Sequence, residues 1–157
     1  GGAGGDGKRE IIRAGGGRFN GGALAVSQDG KAMAGTGYAV GGHQAWVGRD
    51  GDGVTAIGRN GGEQTALGVT NDGRLVVGFA LWGKNEEAWI WGRGNGIASL
   101  SSFITKRGAV VPAGWKLTVA SLISPDGRII YGWGFNPNHL IEMFKVELSP
   151  APAAPAR

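Results

Sequence analysis

Apolar residues along this chain fall in short alternating runs punctuated by Gly-rich turns, the period-2 signature of half-buried strands rather than the longer 3.6-period stripe of helices. The clearest runs are Ala32 to Thr36, Leu75 to Phe79 and Ile129 to Trp133. Each is preceded by a Ser/Thr-x-Asp-Gly turn and by a shorter apolar segment that ends at Val26, Val69 or Ile123. Asp-Gly supplies the positive-φ residue that matches strand twist in a hairpin, so each pair of runs predicts two antiparallel strands. A looser loop and a third strand follow, around Ala45 to Val47, Ala88 to Trp91 and Met143 to Val146. A second Gly-rich turn, Asp50 to Gly53 or Arg93 to Gly96, leads to a fourth short strand at Val54 to Ile57 or Ile97 to Leu100. One stretch departs from this pattern. From Ser99, the residues Leu100, Phe103 and Ile104 recur at helical spacing, with Ser99 as N-cap and Gly108 as the stop. This predicts one short helix over Leu100 to Lys106, ended before Pro112.

These elements recur as copies of one unit. Asp29-Gly30, Asp72-Gly73 and Asp126-Gly127 stand 43 and then 54 residues apart, so the second interval carries about eleven extra residues between Ser99 and Leu117. A further Gly comes five residues after each Asp-Gly, at Gly35, Gly78 and Gly132. A large aromatic comes 16, 16 and 17 residues after the Gly of the Asp-Gly pair, at Trp46, Trp89 and Phe144. Four antiparallel strands in about 43 residues is the size of a propeller blade. The expected fold is therefore all-β: a β-propeller-like array of about three four-stranded antiparallel blades, with one short helix inserted before the last repeat.

Residues 1–18 read as the end of a preceding repeat, because Gly5 to Arg13 lines up with Gly51 to Arg59; they offer a lone fourth strand and a candidate closure strand. Residues 19–148 form the three-repeat domain, and 149–157 a Pro/Ala-rich tail expected to be extended. The last unit lacks a fourth strand. Three blades are fewer than the usual minimum of about four. The chain is therefore expected to be a piece of a longer array, to associate with copies of itself, or to stack its sheets without closing.

Composition sharpens this picture. With 33 Gly in 157 residues, a helical bundle would carry a penalty of about 1 kcal/mol at each interior glycine. The absence of cysteine excludes disulfides and thiolate metal sites, and two histidines leave little for zinc or catalysis. Sixteen Lys and Arg against twelve Asp and Glu give a net charge of +4, but the basic residues are spread singly, which argues against a nucleic-acid partner. No apolar run is long enough to span a bilayer as a helix. The start has neither an initiator Met nor a signal-peptide apolar core, and reads as a mature or truncated chain.

The pattern Ala-x-Ala-Val-Ser-x-Asp-Gly-(x)4-Gly followed by Ala-Trp, beginning at Ala23, resembles the HAF-type extracellular repeats of bacterial secreted and autotransporter-linked proteins. The resemblance covers residues 19–148. Gly114 to Ala120, Ser124 to Gly132 and Phe135 to Asn138 are similar to the last repeat of such proteins, which also implies a short helix before Gly114-Trp115. Gly68 stands where Ala is usual, and Leu122-Ile123 where a small residue and Val are usual. The resemblance implies an exported, strand-rich repeat domain, extracellular, at the bacterial cell surface or in the periplasm, and supplies no catalytic residues.

Candidate chemistry is sparse. The turns carry Asp29, Gly30, Asp72, Gly73, Asp126 and Gly127, whose primary reading is structural: an Asp accepting backbone N–H groups beside a positive-φ Gly. They differ from the sialidase Asp-box, where a residue separates Asp from Gly and Thr-Trp follows. Asp50 to Gly53 alternates oxygen ligands with Gly but has no following Glu to complete a calcium loop. His43, Glu86 and His139 fall 13, 13 and 12 residues after the turn glycines and are expected to share a rim, too far apart for a metal. Lys31, Arg74 and Arg128 follow the Asp-Gly pairs and form a cationic arc on the opposite rim. Trp46, Trp89 and Phe144 read as core between sheets, whereas Trp82, Trp91 and Trp133 break the repeat and are candidates for exposed surface.

No Gly-x-Ser-x-Gly elbow, Walker or dinucleotide motif is present. The reading is a non-catalytic exported repeat module with a structural or surface-interaction role, a passenger portion of a larger secreted or autotransporter protein, with no cofactor and a protein or cell-surface polymer as partner. The alternative is a lectin-like propeller that binds carbohydrate through Trp82, Trp133 and the Lys31, Arg74, Arg128 arc. A third reading is a hydrolase on a propeller scaffold, for which Glu86 and Glu87 are the only carboxylates adjacent in one loop.

Overall fold

The computed structural model describes residues 21–39, 42–59, 62–82 and 84–149. The expected fourth strand within residues 1–18 and the tail beyond Ser149 lie outside the described residues. Among the described residues, the alternating runs form eleven strands in three antiparallel sheets. In the first sheet, β1 (Gly21–Val26), β2 (Ala32–Ala39), β3 (Gly42–Arg49) and β4 (Gly53–Ala56) pair in chain order. The second repeats this with β5 (Glu63–Val69), β6 (Leu75–Trp82), β7 (Asn85–Gly92) and β8 (Gly96–Ser99). The third has three strands, β9 (Lys116–Ile123), β10 (Ile129–Phe135) and β11 (Ile141–Glu147), with β10 in the middle.

The unit's two fixed features, a glycine and an aromatic, meet across a strand pair. Gly35 lies opposite Trp46, Gly78 opposite Trp89 and Gly132 opposite Phe144. On their other side, the same glycines face bulges in β1, β5 and β9, where Leu24, Leu67 and Ser121 are the extra residues. A Cβ on any of the three would overlap the carbonyl oxygen of Gly22, Thr65 or Val119 and press on the aromatic ring. The glycine makes room for the ring, and the ring covers the glycine.

The second and third strands of each unit run further than the sequence pattern suggests. Pairing continues to Ala39 with Gly42, Trp82 with Asn85 and Phe135 with Ile141, so the expected looser loops shrink. Tyr38, Leu81, Trp82 and Phe135 suit a pleated, half-buried surface and keep the ladder going.

The helix, α1 (Leu100–Thr105), starts at Ser99, whose side chain accepts the Ser102 N–H at 3.0 Å. It closes on Gly108 (φ 87°), with Gly108 N–H donating to the Thr105 carbonyl at 3.0 Å and Ala109 N–H to that of Ile104 at 3.1 Å.

The sheets pack in chain order. β5 lies against β1, β2 and β3 of the first sheet, and β9 against β5, β6 and β7 of the second. The second sheet is thus covered on both faces. Ala34, Ala45 and Val47 meet Ala66, Val76 and Trp89 in one core; the alanines allow close approach around the indole. Val77, Ala88 and Ile90 meet Leu117, Ala120 and Ile130 in the other, closed at one end by Leu100 and Ile104 of the helix.

Candidate interaction surface

Polar residues that recur in every unit are consumed in building turns. Ser27, Thr70 and Ser124 each donate their hydroxyl to the carboxylate two residues on, at 2.6 Å to Asp29, 2.7 Å to Asp72 and 2.7 Å to Asp126. The same hydroxyls accept the N–H of Ala32, Leu75 and Ile129 as the next strand begins. Each carboxylate also accepts the N–H of the following basic residue, Lys31, Arg74 or Arg128, at 2.9 to 3.0 Å. Gly30, Gly73 and Gly127 take φ of 76°, 69° and 80°. The Ser27 hydroxyl and the Lys31 N–H hold Asp29 below the usual carboxylate range, and Ser124 and Arg128 do the same for Asp126. For Asp72, partial burial pushes upward, but the Thr70 hydroxyl and the Arg74 N–H outweigh it and the net direction is down.

The turns are also chained to one another. Asp29 N–H donates to the Asn71 side-chain oxygen at 3.1 Å, and Asn71 N–H to the Pro125 carbonyl at 3.2 Å. Lys31, Arg74 and Arg128 therefore share one rim and are exposed. Every one of them stands two residues after an ionised Asp, so the arc alternates in sign rather than presenting a cationic field. Arg49 adds a charge close to both Asp29 and Asp72.

The expected aromatic footprint divides. Trp82 is half-buried and packs on the core between the first two sheets, with the Arg59 guanidinium carbon 4.5 Å from its ring centre. Gly62 sits so close beneath the indole that a Cβ there would overlap it. Trp91 is likewise half-buried against that core. Trp133 instead projects from the outward face of the third sheet and is 39% exposed. The structure does not bring Trp82 and Trp133 together.

The repeat motifs did not point to the surroundings of Trp133. Along β10, Tyr131 and Trp133 share the outward face. Opposite them on β11 stand Lys145 and Met143, and Ile141 follows opposite Phe135. Tyr131 is 44% exposed and Met143 88%, and Ile141 is also exposed. Lys145 and Glu147 pair at 2.7 Å at the margin, which raises the Lys145 pKa and lowers that of Glu147. The signal lay in the repeat itself: Ala45-Trp46-Val47 and Ala88-Trp89-Ile90 become Met143-Phe144-Lys145.

Two open depressions lie away from this face. The first strands β1, β5 and β9 converge on a groove of about 450 Å³ walled by Leu24, Val26, Leu67, Val69, Leu122 and Ile123. A second, of about 500 Å³, is floored by Gly22 and Gly37 and flanked by Tyr38 and His43, whose rings meet edge to face at 4.5 Å. His43 and Glu86 hold equivalent places, opposite Tyr38 and Leu81, but Ile141 takes the third such place. His139 sits in the Asn136–Leu140 loop at φ 62°, at the same hairpin end as His43 and Glu86 but two residues short of Ile141, in a connection one residue longer than its two counterparts. Among the described residues, no three His, Asp or Glu side chains gather closely enough to hold a metal ion. No helix among them is long and apolar enough to cross a membrane.

No family model matches the chain, and no curated protein matches it either. Among solved structures, a protein described as a putative TolB from Agrobacterium tumefaciens superposes with a TM-score of 0.53 at 12% identity, over 81% of this chain and 45% of that one. TolB from Acinetobacter baumannii gives a TM-score of 0.46 at 16% identity, over 82% of this chain and 33% of that one. The chain thus spans less than half the length of either structure. The Agrobacterium likeness speaks to the arrangement of strands and sheets alone.

Proposed function

We propose that this chain is a β-propeller-like, non-catalytic module of an exported bacterial protein, of the HAF-type repeat kind, that works by presenting a contact surface. The observation that carries the reading is the division of labour among polar and apolar side chains. The repeated Ser/Thr and Asp side chains are all engaged in turn hydrogen bonds, while Tyr131, Trp133, Met143 and Lys145, where the third unit departs from the other two, collect on the outward face of the third sheet. The sequential packing of three like sheets and the Agrobacterium TolB likeness support a propeller-like course. Fractionation of the source cells with an antibody against this domain should find it outside the cytoplasmic membrane. Recovery from the cytoplasm alone would overturn the assignment.

A second reading is carbohydrate binding, favoured by Tyr131 and Trp133 side by side on an exposed strand face. Its footprint would be Tyr131 and Trp133 rather than Trp82 with the Lys31, Arg74 and Arg128 arc. Affinity electrophoresis in acidic and neutral polysaccharides should show retardation that Trp133→Ala abolishes and Trp82→Ala spares. Equal mobility in every gel rejects this reading.

A further inference from the structure

Comparison of equivalent positions exposes two surfaces that complement each other. In the first two sheets, one face receives the first strand of the next sheet. Ala34, Ala45 and Val47 lie under β5, and Val77, Ala88 and Ile90 lie under β9. In the third sheet the same register positions are held by Tyr131, Met143 and Lys145, and these face solvent.

The counterpart lies at the other end of the stack. β5 and β9 are largely buried where they cover a sheet, but β1, built to the same bulged plan, is exposed along almost its whole length. Val26 is 68% exposed where its equivalent Val69 is buried, and Ala23 is exposed where Ala66 and Ala120 are sealed. The adjoining turns agree. A Cβ on Gly73 would touch Arg49 and one on Gly127 would touch Leu75, each from the preceding sheet, whereas nothing lies within 4 Å of the same place on Gly30.

We propose that a second copy of this chain docks head to tail on the first, with β1 of one copy seated on the Tyr131, Trp133 and Met143 face of the other. The contact continues the packing already made twice within the chain, β5 on the first sheet and β9 on the second. It is heterologous, because the two surfaces differ, and it closes into a ring or runs on as a filament according to the rotation between copies. The inference rests on the internal repeat and stands whether or not the module proves to be exported.

Light scattering after size exclusion, over a wide concentration series, should give masses above the 16.1 kDa of one chain, rising with concentration. Val26→Asp and Met143→Asp alter exposed side chains on the two opposite surfaces, and each alone should return the protein to a monomer with an unchanged circular dichroism spectrum. Mixing the two variants restores one intact contact, β1 of the Met143→Asp chain on the third sheet of the Val26→Asp chain. The mixture should therefore yield a one-to-one dimer that neither variant forms alone. A wild-type chain that stays monomeric throughout, oligomers that survive both substitutions, or a mixture that stays monomeric would each overturn the head-to-tail contact.

Discussion

The second and third sheets share one ladder, one bulge and one glycine-aromatic pair, yet they treat their outward faces in opposite ways. In the second, Val77, Ala88 and Ile90 are sealed beneath β9. In the third, Tyr131, Met143 and Lys145 occupy the same register and meet water. Small and branched side chains suit a face that another sheet must approach to about 10 Å. Long and aromatic ones suit a face that recruits a partner from outside. Residues kept from unit to unit thus build the scaffold, and the departures within β10 and β11 set the outward face of the third sheet apart.

That division can be broken at the scaffold first. Trp89 is 1% exposed in the core between the first and second sheets, and Trp89→Ala should lower stability by about 3 to 5 kcal/mol, read as a shift of the urea midpoint. Coincident midpoints would remove Trp89 from the scaffold. Gly78→Ala should follow at about 1 to 3 kcal/mol, because its Cβ has only the Thr65 carbonyl and the Trp89 ring to enter. A neutral Gly78→Ala would show that the bulge in β5 yields. Ser27→Ala leaves the buried Ala32 N–H without its hydroxyl acceptor at the base of the turn and should cost about 1 to 2 kcal/mol in the same assay.

A smaller effect is expected with pH. Asp29, Asp72 and Asp126 have folded-state pKa values below their unfolded ones, so their contribution is fully present above the unfolded value and is lost as pH falls through the folded ones. Stability should decline below about pH 4. Asp126→Asn keeps an acceptor for Ser124 and Arg128 but cannot titrate, so it should make that decline shallower in melts taken across the acid range. An acid limb as steep as that of the parent would place the titration elsewhere.

Much of the scaffold was legible because its chemistry is local. Ser/Thr-x-Asp-Gly needs only a few consecutive residues to make its bonds, and the Ser99 cap and Gly108 stop likewise mark their helix from within. The length of β2 and β6 was less legible, since pairing to Ala39 and Trp82 depends on the opposite strand. The candidate surface was half legible. Trp133 could be singled out because it breaks the repeat, and so could Trp82, but only packing separates the exposed indole from the one held by Arg59 and Gly62. His139 illustrates the same limit: its offset of 12 residues resembles the 13 of His43 and Glu86, and only the strand register assigns their place to Ile141.

The most direct measurement places one substitution at the same register position on both sheets. Ala88 and Met143 stand next to the aromatic in β7 and β11, opposite Phe79 and Trp133. Ala88→Glu forces a carboxylate into a sealed, unpaired site and should lower stability by about 3 kcal/mol or more. Met143→Glu, measured at dilute protein concentration, should stay within about 0.5 kcal/mol of the parent. A large loss in one urea midpoint and none in the other is the predicted result, and equal losses in both would contradict a sealed second sheet and an open third.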